Sequence, residues 1–244
     1  LDINTTGGNI EITGAITGAD GDEKLILDDN GGSSSAVITL GGDVGAATGV
    51  SSNIKSVILV GTGGINLTGD ITTSSTVGTV SITGPVTLKD DVTIDSDAAA
   101  TTVTLNSSAT VNSDSTARAF EITTDTGKIT VDSVLGGSVA LKSLEINDGG
   151  GNSEIDIAGI GANNAGVAAN GATKIGNALT TKLTLDGTVY KTDDAQTYTT
   201  ASGDKILVTN ASGATITTSA DDVKFVGGNI QIVDTTLTVT TGGS

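Results

Sequence analysis

The chain contains no Cys, His, Met or Trp, and its 244 residues include only one Pro, two Tyr and two Phe. The shortage of rings argues against an ordinary globular core, which uses aromatic side chains for bulk. A core built without them is thin and repetitive. The absence of Cys permits an oxidising compartment without requiring one. Basic residues are also scarce: 11 Lys and Arg stand against 28 Asp and Glu, a formal net charge of −17. Phosphate recognition needs clustered Lys and Arg, so nucleic acid is not an expected partner, and anionic membranes are disfavoured likewise. The apolar runs are only a few residues long, too short for a membrane-spanning helix. The missing Met, the start inside a strand-like run (Leu1-Asp2-Ile3) and the finish in a Gly-rich turn (Gly242-Gly243-Ser244) read as a piece of something longer. No secretory leader is visible, which leaves the export route open. The acidic surplus has two readings: it keeps a strand-rich surface soluble, or it binds cations.

What the chain does have is a recurring triplet of two apolar residues around a polar one. Ile10-Glu11-Ile12, Val80-Ser81-Ile82, Val86-Thr87-Leu88, Val103-Thr104-Leu105 and Leu183-Thr184-Leu185 are examples. Period-two alternation turns the outer two residues to one face and the middle one to the other. The triplets recur at short, even steps. From Val80 to Val86 to Val92 the step is six residues, and from Ile216 through Val223 and Ile230 to Leu237 it is seven. Three such steps make a coil of roughly 18–22 residues, the period of a solenoid. Strands this short do not hold a hairpin together alone, but they are stable when one coil stacks on the next.

Glycine marks the turns, as in Gly7-Gly8, Gly31-Gly32, Gly136-Gly137 and Gly149-Gly150-Gly151. The single Pro85 lies between two short strands, where a backbone donor can be spared. Three segments read as corner loops: Asp20 to Glu23, Gly45 to Asn53, and the Ala-rich stretch Ile160 to Asn170. No domain boundary interrupts residues 1–244. The expected architecture is all-β: a single-stranded parallel β-helix (β-solenoid), right-handed by the general bias of parallel crossovers. It has roughly a dozen coils of about 20 residues with three short strands each, in a rod about 55–60 Å long.

The chain resembles the β-helical repeat regions of filamentous-haemagglutinin-like giant bacterial surface proteins. The resemblance rests on Gly61-Thr-Gly-Gly-Ile-Asn-Leu67, on the run from Ser81 to Asp95, and on Thr181 to Asp234. The last includes Leu183 to Tyr190, Ala195 to Thr199 and Thr217 to Phe225. It implies a secreted or surface-displayed fibre protein of adhesin type, with attachment or biofilm roles. The secretion domain of that family is not recognisable here.

Candidate chemistry is sparse. The acidic pairs Asp28-Asp29, Asp90-Asp91, Asp193-Asp194 and Asp221-Asp222 occur where Asp is favoured in turns. With no His and with Arg118 as the only Arg, they read as turn residues and not as catalytic carboxylates. Asp20, Asp22 and Glu23 begin like a calcium loop, but Lys24 and Leu25 break the pattern where oxygen and Gly are required. They remain a weak metal candidate beside the reading of a solvated corner. Tyr190 and Tyr198, eight residues apart, either form a small platform for a glycan or each fill the interior. Phe120 and Phe225 read as core. Four Asn-x-Ser/Thr sequons, at Asn4, Asn66, Asn106 and Asn210, are assigned no function.

Three functions follow as expectations, none needing a cofactor. The first is a non-catalytic structural or adhesive shaft segment, whose partners are further coils of the same parent chain. The second is a self-assembling subunit of an extracellular filament or sheath, whose partners are other copies of itself. The third is a carbohydrate-binding β-helix that meets host or cell-surface glycans.

Overall fold

A computed structural model describes residues 1–29, 35–45, 54–73, 78–219 and 221–242. The fold is an all-β solenoid of about nine turns, with every strand pairing parallel to the coils above and below it. No helix occurs among the described residues. The expected turn at Gly31-Gly32 lies outside the described residues, and so does the expected corner loop Gly45 to Asn53 apart from Gly45.

Each coil runs through three faces. The first face begins with Asp2–Asn4 and continues through Lys24–Asp28, Ser56–Val60 and Thr79–Thr83 to Asn229–Ile232. The second begins with Ile10–Ile12, Ile38–Leu40 and Ile65–Leu67 and ends with Leu237–Thr241. The third is opened by single bridges at Ile16 and Val44, and ends with Gln196–Thr199 and Val223–Val226. In two coils the third face runs directly into the first, so that Val92–Leu105 and Ala119–Val131 are continuous strands. The triplet spacing maps onto these faces. Val80, Val86 and Val92 stand one on each face, and Ile216, Val223 and Ile230 do the same two-thirds of a turn out of phase.

Inward residues stack in vertical columns of like with like. On the second face the column runs Ile10, Ile38, Ile65, Val86, Val111, Leu135, Ile160, Tyr190, Ile216 and Val239. All but Val239 are buried, and together with the columns of the other faces they form one continuous core. Parallel register repeats each position at the strand spacing of about 4.8 Å, so a β-branched aliphatic chain meets a near-identical one above and below. Burial of each such side chain contributes about 1.5–3 kcal/mol. Phe120 is core, as expected, and Phe225 packs against the core half-buried.

The coils are longer and fewer than the sequence reading expects. Register pairs on the first face (Asp2↔Ile26, Ile26↔Ile58, Ile58↔Ser81, and so on to Leu207↔Gln231) advance by 23 to 32 residues. The excess lies at corners, which carry extra residues between the faces. Nine steps of about 4.8 Å give a column about 43 Å high. The stretch from Ile160 to Asn170 is such a corner, and it forms no helix. Two of its apolar residues nevertheless join the stack, Ile160 bridging Leu135 and Tyr190, and Val167 bridging Leu141.

The corner between third and first faces is held by a buried polar column. Thr73 Oγ1 donates to Ser96 Oγ at 3.0 Å. One layer on, the Thr124 N–H donates to Asn147 Oδ1 at 2.8 Å, and Asn147 Nδ2 donates to Ser153 Oγ at 2.7 Å. Asn147 turns the chain with φ of 55°, in the left-handed region that Asn tolerates. Close stacking also fixes glycine: at Gly84 (φ of +116°) a Cβ would lie 1.8 Å from the Gly61 carbonyl oxygen of the coil below.

Replacing Asn147 by Ala strands the buried Thr124 donor and strains the turn. The expected cost is about 2–4 kcal/mol, or roughly 5–10 °C in Tm for a chain of this size. Asn147→Gly, which keeps the backbone freedom, should cost less. Thermal denaturation of the two variants checks the order.

Candidate functional site

Tyr190 comes from the strand Val189–Thr192 on the second face and Tyr198 from Gln196–Thr199 on the third. Alternation puts both rings inside the column, each with 0% of its surface exposed. They meet edge to face with centroids 6.5 Å apart, and Tyr198 stacks on Phe225 at 5.4 Å. The glycan platform is therefore corrected: neither ring presents a face to solvent, and the interior reading is the one observed. The phenols are anchored. Tyr190 O–H donates to the Ile157 carbonyl at 2.6 Å and accepts from the Gly187 N–H at 2.8 Å. Tyr198 O–H donates to Gln196 Oε1 at 2.5 Å.

Gln196 is a residue the sequence reading missed. It is fully buried, and its Nε2 donates to the carbonyls of Tyr190 and Thr217. The signal was available: Gln196-Thr197-Tyr198 alternates, and an inward Tyr198 requires an inward Gln196.

The calcium candidate is corrected as well. Glu23 folds its carboxylate back onto its own turn, where Oε1 accepts from the N–H of Ala19 (2.6 Å) and Asp20 (3.2 Å), and Oε2 from that of Gly21 (3.1 Å). The Ala19 N–H is the chief cause that holds this carboxyl below its ordinary value. Asp20 Oδ1 accepts from the Asp22 N–H, and Asp22 faces Lys55 at 3.4 Å. The three carboxylates thus do not converge, and no group of three acids able to hold a metal occurs among the described residues. A carboxylate already saturated by backbone donors has little left to offer an ion.

The acidic pairs lie at strand ends and corners. Asp91 Oδ1 accepts from the Ala119 N–H at 2.8 Å and its other oxygen meets Lys142, while Asp90 meets Arg118. Asp29 is buried, with Oδ1 accepting from the N–H and O–H of Thr62 at 2.8 Å each. Asp194 caps the Ala195 N–H, Asp193 meets Ser219, and Asp222 meets Lys224. These contacts tie one coil to the next or close a turn.

One open recess of about 370 Å³ lies at the corner between third and first faces. It is lined by Asp95, Thr123, Asp125, the three glycines Gly149 to Gly151, and the exposed Leu179. The glycines are there for packing: a Cβ on Gly151 would lie 1.8 Å from the Asp125 carbonyl oxygen. The recess offers hydrogen-bond acceptors to solvent but no basic side chain. Comparison with protein-family models, curated proteins and solved structures finds no match to the chain.

Burial pushes both phenols far above their ordinary value near 10. The unfolded chain therefore loses these protons first as pH rises. Their contribution to stability is complete below pH 10 and is lost above it. In an alkaline titration, tyrosinate absorbance should stay flat through pH 10 and rise together with loss of β-structure. A smooth rise around pH 10 in the folded protein would contradict the buried placement. Millimolar Ca²⁺ should leave the melting temperature unchanged, since a bound ion would raise it by mass action.

Proposed function

We propose that this chain is a non-catalytic shaft segment of a large secreted or surface-displayed bacterial fibre protein, where it acts as structure or as a support for adhesion. The observation that carries this reading is the unbroken run of inward columns through about nine turns. The columns do not close over at the last coil. The inward side chains Ile230, Ile232 and Val239 are 43%, 48% and 44% exposed there. An apolar layer with unpaired strand edges is the natural seat for another coil. A β-solenoid also transmits load well, because each coil hydrogen-bonds to both neighbours on every face. The resemblance to haemagglutinin-type repeats gives the reading its cellular setting.

The same layer favours a second reading, a subunit that assembles end to end into a filament or sheath. A contact between different surfaces that does not close on itself produces an open fibre.

Immunogold labelling of intact producing cells, with antibody raised against the chain, tests the shaft reading. Gold on surface fibres is the expected result, and label confined to the cytoplasm overturns it. Negative-stain microscopy of the purified chain addresses the second reading. Filaments that vanish in Ile232→Lys support it, and single short rods at high concentration count against it.

A further inference from the structure

The outer surface of the first face has an ordered charge pattern. Three of its strands have the same form: Lys24-Leu-Ile-Leu-Asp28, Lys128-Ile-Thr-Val-Asp132 and Lys182-Leu-Thr-Leu-Asp186. In each, the second and fourth residues point inward and are at most 1% exposed. The Lys, the middle residue and the Asp point outward. Register places Lys24, Lys128, Lys182 and also Lys205 in one vertical column. That column holds four of the chain's 11 basic residues. The aspartates stand in a second column along the opposite edge of the face. Between them runs a middle column that is largely uncharged, with Ile26, Ile58, Ser81, Thr104 and Thr130 in consecutive layers.

A Lys and an Asp four residues apart on one strand are separated by about 13 Å, so the two edges do not pair within one molecule. Lys24 and Lys205 make no ion pair among the described residues, and neither do Asp132 and Asp186. Lys128 reaches inward to Asp156 of the middle column (2.5 Å), and Lys182 turns along its own edge to Glu154 (3.1 Å). Asp186 has one buried carboxylate oxygen without a hydrogen-bond partner. Burial, then the neighbouring Asp156 and Asp132, raises its pKa, which marks it as an acid short of positive charge.

We propose that two copies of this chain pair side by side through their first faces, parallel, about a twofold axis along the column. That rotation exchanges left and right and leaves height unchanged. It sets the Lys edge of one copy against the Asp edge of the other, with Lys24 opposite Asp28, Lys128 opposite Asp132 and Lys182 opposite Asp186. The alternative twofold, with columns antiparallel, sets Lys against Lys. The middle columns then meet each other as a strip made mostly of Ile, Thr and Ser. It carries two acids: Asp156, which is already neutralised by Lys128, and Asp2 in the first layer. A face five residues wide (about 16 Å) and about 43 Å high offers roughly 700 Å² per copy. This is close to the ~800 Å² per partner of a standard specific interface. The contact uses a side of the column and not its ends, so it stands or falls separately from the shaft reading.

The test uses two variants of the full chain, each checked for β-structure by circular dichroism. K24E/K182E makes both edges acidic, and D28K/D186K makes both basic. In sedimentation velocity the wild type is expected as a dimer of the 23.8 kDa chain, and each folded variant as a monomer. An equimolar mixture of the two variants is expected to restore the dimer, since acidic edges then face basic ones on every altered layer. The pairing is overturned by a wild type that stays monomeric to submillimolar concentration. Folded variants that dimerise like the wild type overturn it too, and so does a mixture of folded variants that stays monomeric.

Discussion

Everything in this structure depends on parallel hydrogen bonding between successive coils at a fixed spacing of about 4.8 Å. Strands of three to five residues have no stability of their own. They persist because every coil supplies donors and acceptors to two neighbours on three faces. The spacing then dictates the core. A side chain must match the one directly above and below it, so the inward columns are Ile, Leu and Val almost throughout. It also dictates the corners. Where the backbone turns and ladder bonds are lost, Thr73, Ser96, Thr124 and Asn147 supply replacements from side chains.

The two tyrosines show how far the rule can bend. A ring in a column of aliphatic residues overfills its layer, and its hydroxyl needs a partner. Tyr190 solves this by reaching down to the Ile157 carbonyl and across to the Gly187 N–H. Gly187 is itself tightly placed, since a Cβ there would lie 1.5 Å from the Ala158 carbonyl oxygen. Tyr198 takes Gln196 as its partner, and the amide passes the hydrogen bonding on to two backbone carbonyls. Tyr198 and Tyr190 therefore sit one and two layers below the last strands of their faces, while Phe225 lies in the last layer of the third face, so the cluster adds bulk to coils with few layers above them.

The sequence made the fold class legible because alternation and step length are local. Val80, Val86 and Val92 announce three faces in thirteen residues. The coil number was less legible. Leu135, Ile160 and Val167 join the stack as isolated bridges in stretches rich in Gly and Asn, where no alternation betrays them. The candidate sites stayed open in the sequence for a related reason. A spacing of eight positions from Tyr190 to Tyr198 was compatible with an outer or an inner pair, and only the phase of each strand decides between them. The calcium loop failed on a contact that spacing does not reveal, the return of Glu23 onto the N–H groups of its own turn. The Lys-to-Asp strands were visible as text, but with coil steps of 23 to 32 residues their vertical alignment was not.

That alignment gains force from the charge of the whole chain. A net charge of −17 opposes association of two copies, since like-charged surfaces repel. Any face used for pairing must escape this field locally. The first face does so. Its outward residues include four lysines (Lys24, Lys128, Lys182, Lys205) against six acids (Asp2, Asp28, Asp132, Glu154, Asp156, Asp186), a net of −2. The remaining −15 lies elsewhere and, in a parallel twofold pair, points away from the contact. Repulsion between the other sides then disfavours wrong pairings more than it penalises the right one. In the proposed pairing, a strongly acidic column with one nearly neutral, self-complementary side would form closed pairs and would not grow sideways without end.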